Sequence, residues 1–152
     1  MSKFVHSGQQ IGNVQLEHRI WDGSFSTTWR AKTKDGQTMI VQVIENERLR
    51  QELQEHPLIR PNFSNRYMSR LIAIHDNPFC LIWQYLAGRR LSTYIQQLKV
   101  IKPNIALYIT RRILELMQFL HSKGFVYGAL RPTRVLVSPD KKVLLTNYPI
   151  GQ

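Results

Sequence analysis

The sequence predicts an α+β fold in which a β-rich half, residues 1–86, precedes a largely helical half, residues 87–152. In the first half, apolar and β-branched residues fall in short runs bounded by turn residues, which is typical of strands. In the second half, apolar residues recur at the spacing of an amphipathic helix. A chain of 152 residues suits one compact unit with two lobes, and we expect that arrangement here.

The N-terminal half is expected to contain several strands and one helix. The helix, 45–56, is charged, lacks proline and is followed by Pro57. The KDG segment at 34–36 predicts a turn, and a second turn is predicted at 76–77. The predicted strands are 14–20, 25–33, 37–44, 68–75 and 78–86.

The C-terminal half is expected to contain two helices and a hairpin. The helices are a short one over 91–98 and a long one over 104–123, with Asn104 as the candidate N-cap. Gly124 is the glycine expected just after the end of the long helix. The hairpin is predicted over 134–148, where two apolar runs flank the SPDKK segment.

The long helix carries a wide apolar stripe, which Leu107 and Leu114 extend beyond a single face. A contiguous exposed patch of this sort usually marks an interface. The alternative is that the hairpin and the N-terminal segment fold over the stripe and bury it. The interface candidates are Ile109, Ile113, Leu116, Met117 and Leu120.

The chain is strongly basic, with a formal net charge of +11. The charge increases toward the C-terminus, where residues 101–152 carry eight basic and two acidic residues. Such a surface attracts an acidic protein, nucleic acid or an anionic lipid surface, although a solvated surface without a partner is the alternative. No zinc-ligand spacing or RNA-binding motif accompanies the charge. The candidates for a basic patch are Arg89, Arg90, Arg111, Arg112, Arg131, Arg134, Lys141 and Lys142.

The single cysteine, Cys80, lies in the apolar run FCLIW and is expected to be a small buried hydrophobe. The first ten residues lack the apolar core of a signal peptide, and no apolar run is long enough to span a membrane. These features lead us to expect a cytoplasmic protein.

Several phrases, in one order along residues 11–151, resemble the protein kinase family. IGNVQLEHRIWDGSFSTTWRAKTKDGQTMIVQVI is similar to the first three strands with the glycine-rich loop, and FCLIWQYLAGRRLSTYI to the fifth strand, hinge and next helix. ILELMQFLHSKGFVYGALRPTRVLV is similar to the long helix and catalytic loop, and VLLTNYPIG to the strand leading into Asp-Phe-Gly. The resemblance implies a kinase-like N-terminal lobe, 1–86, of antiparallel sheet and one helix. It also implies a truncated helical C-terminal lobe, 87–152, that ends at the Asp-Phe-Gly position.

The resemblance locates the positions that hold nucleotide phosphates in the family. Of the pattern G-x-G-x-x-G-x-V, only Gly23 matches, and Trp21, Ser26 and Thr28 occupy the other positions. Glycines let backbone amides close over phosphates, which side chains would crowd. The strand lysine of the family falls on Gln42.

The helix glutamate that pairs with this lysine in the family falls on Glu47 or Glu52. The sequence does not decide between these two glutamates, because the loop after the helix is irregular. With Gln42 in place of the lysine, neither glutamate has its family partner, and a solvated helix glutamate is the alternative interpretation.

The catalytic loop H-R-D-L-K-P-E-N aligns with a segment that keeps the frame of the loop but not its chemistry. The base position is Ala129, which cannot accept a proton, and the metal-binding asparagine is replaced by the cation of Arg134. The metal-binding aspartate of Asp-Phe-Gly falls on Asn147, whose neutral amide is a poor sole ligand for Mg²⁺. The aligned positions are Tyr127, Gly128, Ala129, Leu130, Arg131, Pro132, Thr133 and Arg134.

The resemblance therefore implies a pseudokinase that is not an enzyme and holds neither a cofactor nor a metal. Phosphoryl transfer depends on positioned charges, and losing one costs several kcal/mol of barrier. A vestigial nucleotide cleft would contain Gly23, Gln84 and Leu86, narrowed by Trp21 and Trp83.

The sequence given stops at Gln152, so the resemblance implies that the activation segment and the later helices of the large lobe are absent. In the family, one of those helices covers the long helix. We therefore expect the stripe on the long helix to bind a protein partner or a second copy of the chain.

Three functions follow as hypotheses. The first is an inactive, truncated module that binds another protein or itself in a regulatory, scaffold or assembly role. The second is a nucleotide-binding regulator that transfers no phosphate. The third is a basic module for nucleic acid or an anionic surface, although nucleic acid is not favoured.

Overall fold

The computed structural model describes residues 5–55, 65–128 and 130–146. These residues divide into two compact units. The described part of the N-terminal unit is 5–55 and 70–85, and that of the C-terminal unit is 65–69, 86–128 and 130–146. The α+β class is confirmed, with an antiparallel sheet and one helix in the first unit and helices in the second.

The N-terminal unit is built on a six-stranded antiparallel sheet with the strand order β1-β2-β3-β4-β6-β5. The sequence analysis missed β1, which is only two residues long and pairs Ile11 with Val14 across a turn. Gly12 in that turn has a φ of +56°, a conformation that favours glycine. The strands are β1 Gln10–Ile11, β2 Val14–Asp22, β3 Ser26–Thr33, β4 Thr38–Ile44, β5 Leu71–His75 and β6 Cys80–Gln84.

Both faces of this sheet are buried at its centre, which explains the near-continuous apolar run of β4. Val41 and Val43 face one cluster, whereas Ile40 and Ile44 face another that includes Leu53. Leu53 belongs to helix α1, Glu47–Glu55, which covers the second face. Burying a leucine of this kind contributes about 1.5–3 kcal/mol.

The start of α1 is fixed by a capping side chain. The Asn46 side chain accepts a hydrogen bond from the Leu49 amide at 2.9 Å, so Asn46 caps the helix, which begins at Glu47.

Cys80 is fully buried, and burial raises the pKa of its thiol to about 12. The prediction of a buried hydrophobe at this position is confirmed.

The C-terminal unit contains two helices and a three-stranded antiparallel sheet, β7-β8-β9. The two-residue strand β7 was not predicted, because a polar Arg-Arg pair carries no strand signal. Helix α3 packs against β9. The elements are β7 Arg89–Arg90, α2 Leu91–Leu98, α3 Pro103–Ser122, β8 Val135–Val137 and β9 Val143–Leu145.

Residues 65–69 join this second unit, although the strand predicted for the first half begins at Met68 and so includes Met68 and Ser69. Met68 forms a bridge with Leu145, and the Leu145 amide donates to the Tyr67 carbonyl at 2.8 Å. The strand predicted over 68–75 therefore begins only at Leu71.

Helix α3 begins one residue earlier than predicted. Asn104 is not its N-cap, because Lys102 has that role and Pro103 occupies the first helical position, where a missing N–H costs nothing. The helix ends at Ser122, one residue before the predicted end, and Gly124 has the expected role just after it, with a φ of +80° and an amide that donates to the His121 carbonyl at 3.0 Å. Within the described ranges, no helix is both long and apolar enough to cross a bilayer.

Candidate functional site

The segment aligned with the glycine-rich loop is a tight hairpin turn between β2 and β3. The Gly23 amide donates to the Ser26 carbonyl at 2.9 Å, and the Glu45 amide donates to the Phe25 carbonyl at 3.1 Å. Ser26 is buried, whereas Trp21 and Phe25 are each 45% exposed. The one retained glycine therefore uses its amide to close the turn.

Gln42, at the position of the family's lysine, has no solvent exposure at all. It lies in the central strand β4 opposite Thr28 and Leu81, and its Nε2 donates to Ser26 Oγ at 3.5 Å. A neutral amide in such a site is compatible with its buried surroundings, whereas a lysine ammonium would lose its hydration.

The two candidate glutamates lie on the exposed surface of α1. Glu47 is within 3.7 Å of Arg50, and Glu52 is within 3.2 Å of Arg48, so each has a partner on its own helix. Ion pairs this exposed contribute little to stability. The structure favours the interpretation of both as solvated helix residues.

The residues of the vestigial cleft lie in different units. Gly23 and Gln84 belong to the N-terminal unit, and Leu86 belongs to the C-terminal unit. Trp83 is 1% exposed and packs with Leu81 in the cluster under α1. Trp83 therefore contributes to the core of the N-terminal unit.

The catalytic-loop segment is described except for Ala129, and Asn147 also lies outside the described residues. Gly128 and Leu130 are exposed, as is Arg131. Pro132–Arg134 form a single 3₁₀ turn that leads into β8.

Tyr127 and Arg134, at the two ends of this segment, are both buried. The Tyr127 hydroxyl donates to the Thr146 carbonyl at 2.5 Å. Thr146 is also bonded to the other end of the segment, because its amide and its Oγ1 donate to the Arg134 carbonyl at 3.0 and 3.1 Å. No sequence motif points to Thr146, because its bonds depend largely on backbone groups that every residue has.

This buried arrangement changes the pKa of Tyr127. Burial raises the pKa of Tyr127 to about 12, while the neighbouring Arg134 guanidinium and the bond to Thr146 act in the opposite direction. The phenol is therefore neutral near pH 7 and acts as a hydrogen-bond donor. In this segment, buried side chains and backbone form an internal network where the family has its metal-binding asparagine.

Replacing Tyr127 by phenylalanine is expected to lower the free energy of unfolding by about 1–2 kcal/mol, because the buried Thr146 carbonyl loses its donor. The dependence of the free energy of unfolding on pH should also change. Between about pH 10 and 12 the unfolded tyrosine ionises while the folded one keeps its proton, so wild-type stability falls as the pH rises. The variant should lack this part of the alkaline loss in urea titrations.

Tyr85→Phe is the matched control for this prediction. Tyr85 is 39% exposed, and its hydroxyl makes no hydrogen bond to another described residue. Equal stability and equal alkaline slopes in Tyr127→Phe and the wild type would contradict the network.

The stripe on α3 is largely buried by the chain itself. Ile109, Leu116 and Leu120 are buried, and Ile113 and Met117 are half-buried. The prediction that this stripe is exposed is wrong for the three buried residues, because α3 packs it against β9 and its surroundings. The hairpin part of the alternative interpretation, in which the chain itself covers the stripe, describes this face better.

The exposed apolar side chains of α3 lie on another face. Leu107 is 71% exposed and Leu114 is 61% exposed, two turns apart, with the 82% exposed Arg111 side chain between them. Apolar spacing alone identifies both leucines as an extension of the stripe and does not indicate that they form a separate exposed face.

The basic residues separate sharply between the units. The described residues of the C-terminal unit include twelve basic and two acidic residues, whereas those of the N-terminal unit include seven basic and eight acidic residues. Arg134 is 4% exposed, so its assignment to a surface patch is wrong. Arg111 and Arg112 share Glu115, and Lys142 lies 3.4 Å from Asp140.

No group of three or more His, Cys, Asp or Glu side chains in residues 5–55, 65–128 and 130–146 is arranged to hold a metal ion. 

The fold agrees with comparison to known families. The family model described as "Protein kinase domain" matches residues 14–150, and the chain belongs to that family. The proteins below show what this chain is similar to.

Among curated proteins, the serine/threonine-protein kinase ATG1c of Arabidopsis thaliana is 26% identical over 148 residues, which cover 93% of this chain and 20% of that protein. The human cAMP-dependent protein kinase catalytic subunit PRKX is 28% identical over 105 residues, covering 66% of this chain and 29% of its own length. The chain thus spans about a fifth to three tenths of these two relatives.

Among solved structures, the apo form of PpkA-294 superposes with a TM-score of 0.77 at 15% identity, over 99% of this chain and 63% of that one. Rad53 1–466 in complex with AMP-PNP gives a TM-score of 0.74 at 19% identity, over 91% of this chain and 38% of the other. At these identities the likeness concerns the fold alone.

Proposed function

We propose that this chain is a catalytically inactive member of the protein kinase family that acts by binding protein. The observation that carries the proposal is Gln42, a neutral and fully buried side chain where the family's phosphate-binding lysine is expected. Positioned charge is what phosphoryl transfer requires of an enzyme, and Gln42 supplies none. The arrangement of Tyr127, Arg134 and Thr146 supports the same interpretation.

Binding of a nucleotide without transfer is the less favoured alternative. Only Gly23 remains of the glycine-rich pattern, and its amide is used within the hairpin turn. The large side chains of Trp21 and Phe25 at this hairpin would crowd phosphates. We therefore expect ATP binding to be weak or absent and independent of Mg²⁺, which a thermal shift with and without the metal tests.

The interaction surface that we propose is the outer face of α3, defined by Leu107, Arg111 and Leu114. Two exposed leucines provide apolar surface whose burial by a partner protein would be favourable. The excess of basic over acidic residues in this unit favours an acidic partner. This face replaces the buried stripe as the interface candidate.

A Leu107→Asp/Leu114→Asp variant is expected to lose partner binding at least tenfold while the fold is retained, because both side chains are exposed. Binding is measured by titrating a partner recovered on the wild-type chain from native extract. Gln51→Asp/Gln54→Asp on α1 adds the same charge at exposed positions of the other unit and serves as the control. Unchanged affinity of the leucine variant would exclude this face.

The charge itself supports a second candidate, a module for an anionic polymer. The described C-terminal unit carries twelve basic residues, although Arg134 is buried and several others are paired with Glu115 and Asp140. Binding of heterologous DNA or RNA that falls steeply with salt would support this candidate over an acidic protein.

A further inference from the structure

Strand β5 is the outer strand of the six-stranded sheet. Within the described part of the chain it pairs with β6 on one side only. An outer strand presents backbone N–H and C=O groups that can pair with another strand. Ile72 and Ile74 on this strand are 42% and 43% exposed, so this edge carries apolar side chains and has no second strand among the described residues.

The segment Arg70–Asp76, RLIAIHD, is complementary to itself when two copies run antiparallel. With Ala73 opposite Ala73, Ile72 faces Ile74 and Leu71 faces His75. At both ends Arg70 faces Asp76, a pair of opposite charges. Both charged residues are exposed, and neither makes an ion pair with another described residue.

The charge distribution permits this pairing. The described N-terminal unit, which holds β5, carries seven basic and eight acidic residues and is nearly neutral. The charge that would oppose self-association lies in the other unit, where twelve basic residues face two acidic ones. The unit that holds β5 therefore contributes little to the repulsion that a net charge of +11 suggests.

We propose that the chain forms a two-fold homodimer in which β5 pairs antiparallel with β5 of a second copy about Ala73. This inference deepens the interaction part of the proposed function and rests on it. It names a second copy as the partner of the N-terminal unit, whereas the α3 face is left to a different protein.

The geometry favours a closed dimer over an open assembly. A two-fold contact uses the same patch on both copies and leaves no second patch to extend it. The opposite edge of the sheet is β1, which has only two residues. β5 is itself short, which restricts uncontrolled edge pairing, and the contact between Arg70 and Asp76 has to span its bulge between Leu71 and Ala73.

Charge reversal tests the register. The mass of the full chain is measured by sedimentation over a concentration series at low and high salt, for Arg70→Asp, Asp76→Arg and the double variant. Each single variant creates two like-charge contacts and should weaken the dimer about tenfold or more, whereas the double variant should restore it. A monomer at every concentration, or a double variant no better than the singles, would overturn the proposal.

Cross-linking tests the centre of the interface. Opposite residues of an antiparallel pair have Cα atoms about 4.5–5.5 Å apart, within the range of a disulfide. Ala73→Cys should therefore form a disulfide-linked dimer under mild oxidation, whereas Ser24→Cys, on an exposed turn, should remain mainly monomeric. The native Cys80 is buried and should not contribute. Equal cross-linking of the two variants would also reject the interface.

The tests of the dimer and the tests of the proposed function can fail independently of each other. Loss of the dimer would leave phosphoryl transfer and binding at Leu107 and Leu114 to be judged by their own measurements. Detection of kinase activity in a chain that dimerises as described would reject the proposed function and leave the β5 interface in place.

Discussion

Replacing Gln42 by lysine, the family's residue, is expected to lower the free energy of unfolding by at least about 3 kcal/mol and to restore no activity. The site has no solvent exposure, and burial of an ammonium group disfavours its charged form. The candidate partners Glu47 and Glu52 are exposed and lie beside Arg50 and Arg48. Urea unfolding of the variant and the wild type at pH 7 measures the loss.

The pH dependence separates charge from packing in this prediction. Gln42→Met keeps a long unbranched side chain without charge and should lose much less stability. The unfolded lysine binds its proton up to a pH of about 10, whereas the folded one releases it earlier, so the lysine variant should gain stability relative to the methionine variant as the pH rises toward that value. An equal loss in both variants at every pH would mean that the site accommodates a charge.

Arg134→Asn, which restores the family's metal-binding residue, should lower the free energy of unfolding by about 2–4 kcal/mol. Arg134 is 4% exposed, and its truncation leaves a cavity and removes the packing of its aliphatic stem. The backbone bonds from Thr146 to the Arg134 carbonyl are retained, so the effect reports the side chain. The variant should also raise the pKa of Tyr127 further, because the guanidinium opposes that shift.

Arg131→Asn is the matched control for this second variant, since it makes the same substitution three residues earlier at an exposed position. Its stability should stay within about 0.5 kcal/mol of the wild type. Similar losses in the two variants would contradict a structural role for Arg134.

Elements with a strong local signal were predictable from the sequence. Helix α2 spans Leu91–Leu98 as predicted, and the stop of α3 at Gly124 follows from a positive φ that glycine favours. The start of α3 was misplaced because two N-terminal signals compete, and Pro103 at the first helical position prevailed over Asn104 as a cap. The two-residue strand β1 is too short to show a periodic pattern, and β7 depends on pairing with the distant strand β8.

The candidate site was predictable only in part. Residue identities at Gln42 and Arg134 were readable once the family resemblance was known, but the burial of both depends on tertiary packing. The same limit applies to α3, where apolar spacing identified Leu116 and Leu120 but could not say which face the chain itself covers. Exposure of Leu107 and Leu114 becomes visible only when α3 is placed beside β9.

The central claim is that this chain keeps the kinase fold without phosphoryl transfer. The direct measurement is incubation of the full chain with γ-labelled ATP, Mg²⁺ or Mn²⁺ and generic protein substrates, with a heat-denatured sample as the background. The expected result is no transfer and no autophosphorylation above that background. Robust transfer that disappears in Gln42→Met or Arg134→Asn, in samples shown to be folded, would contradict the claim.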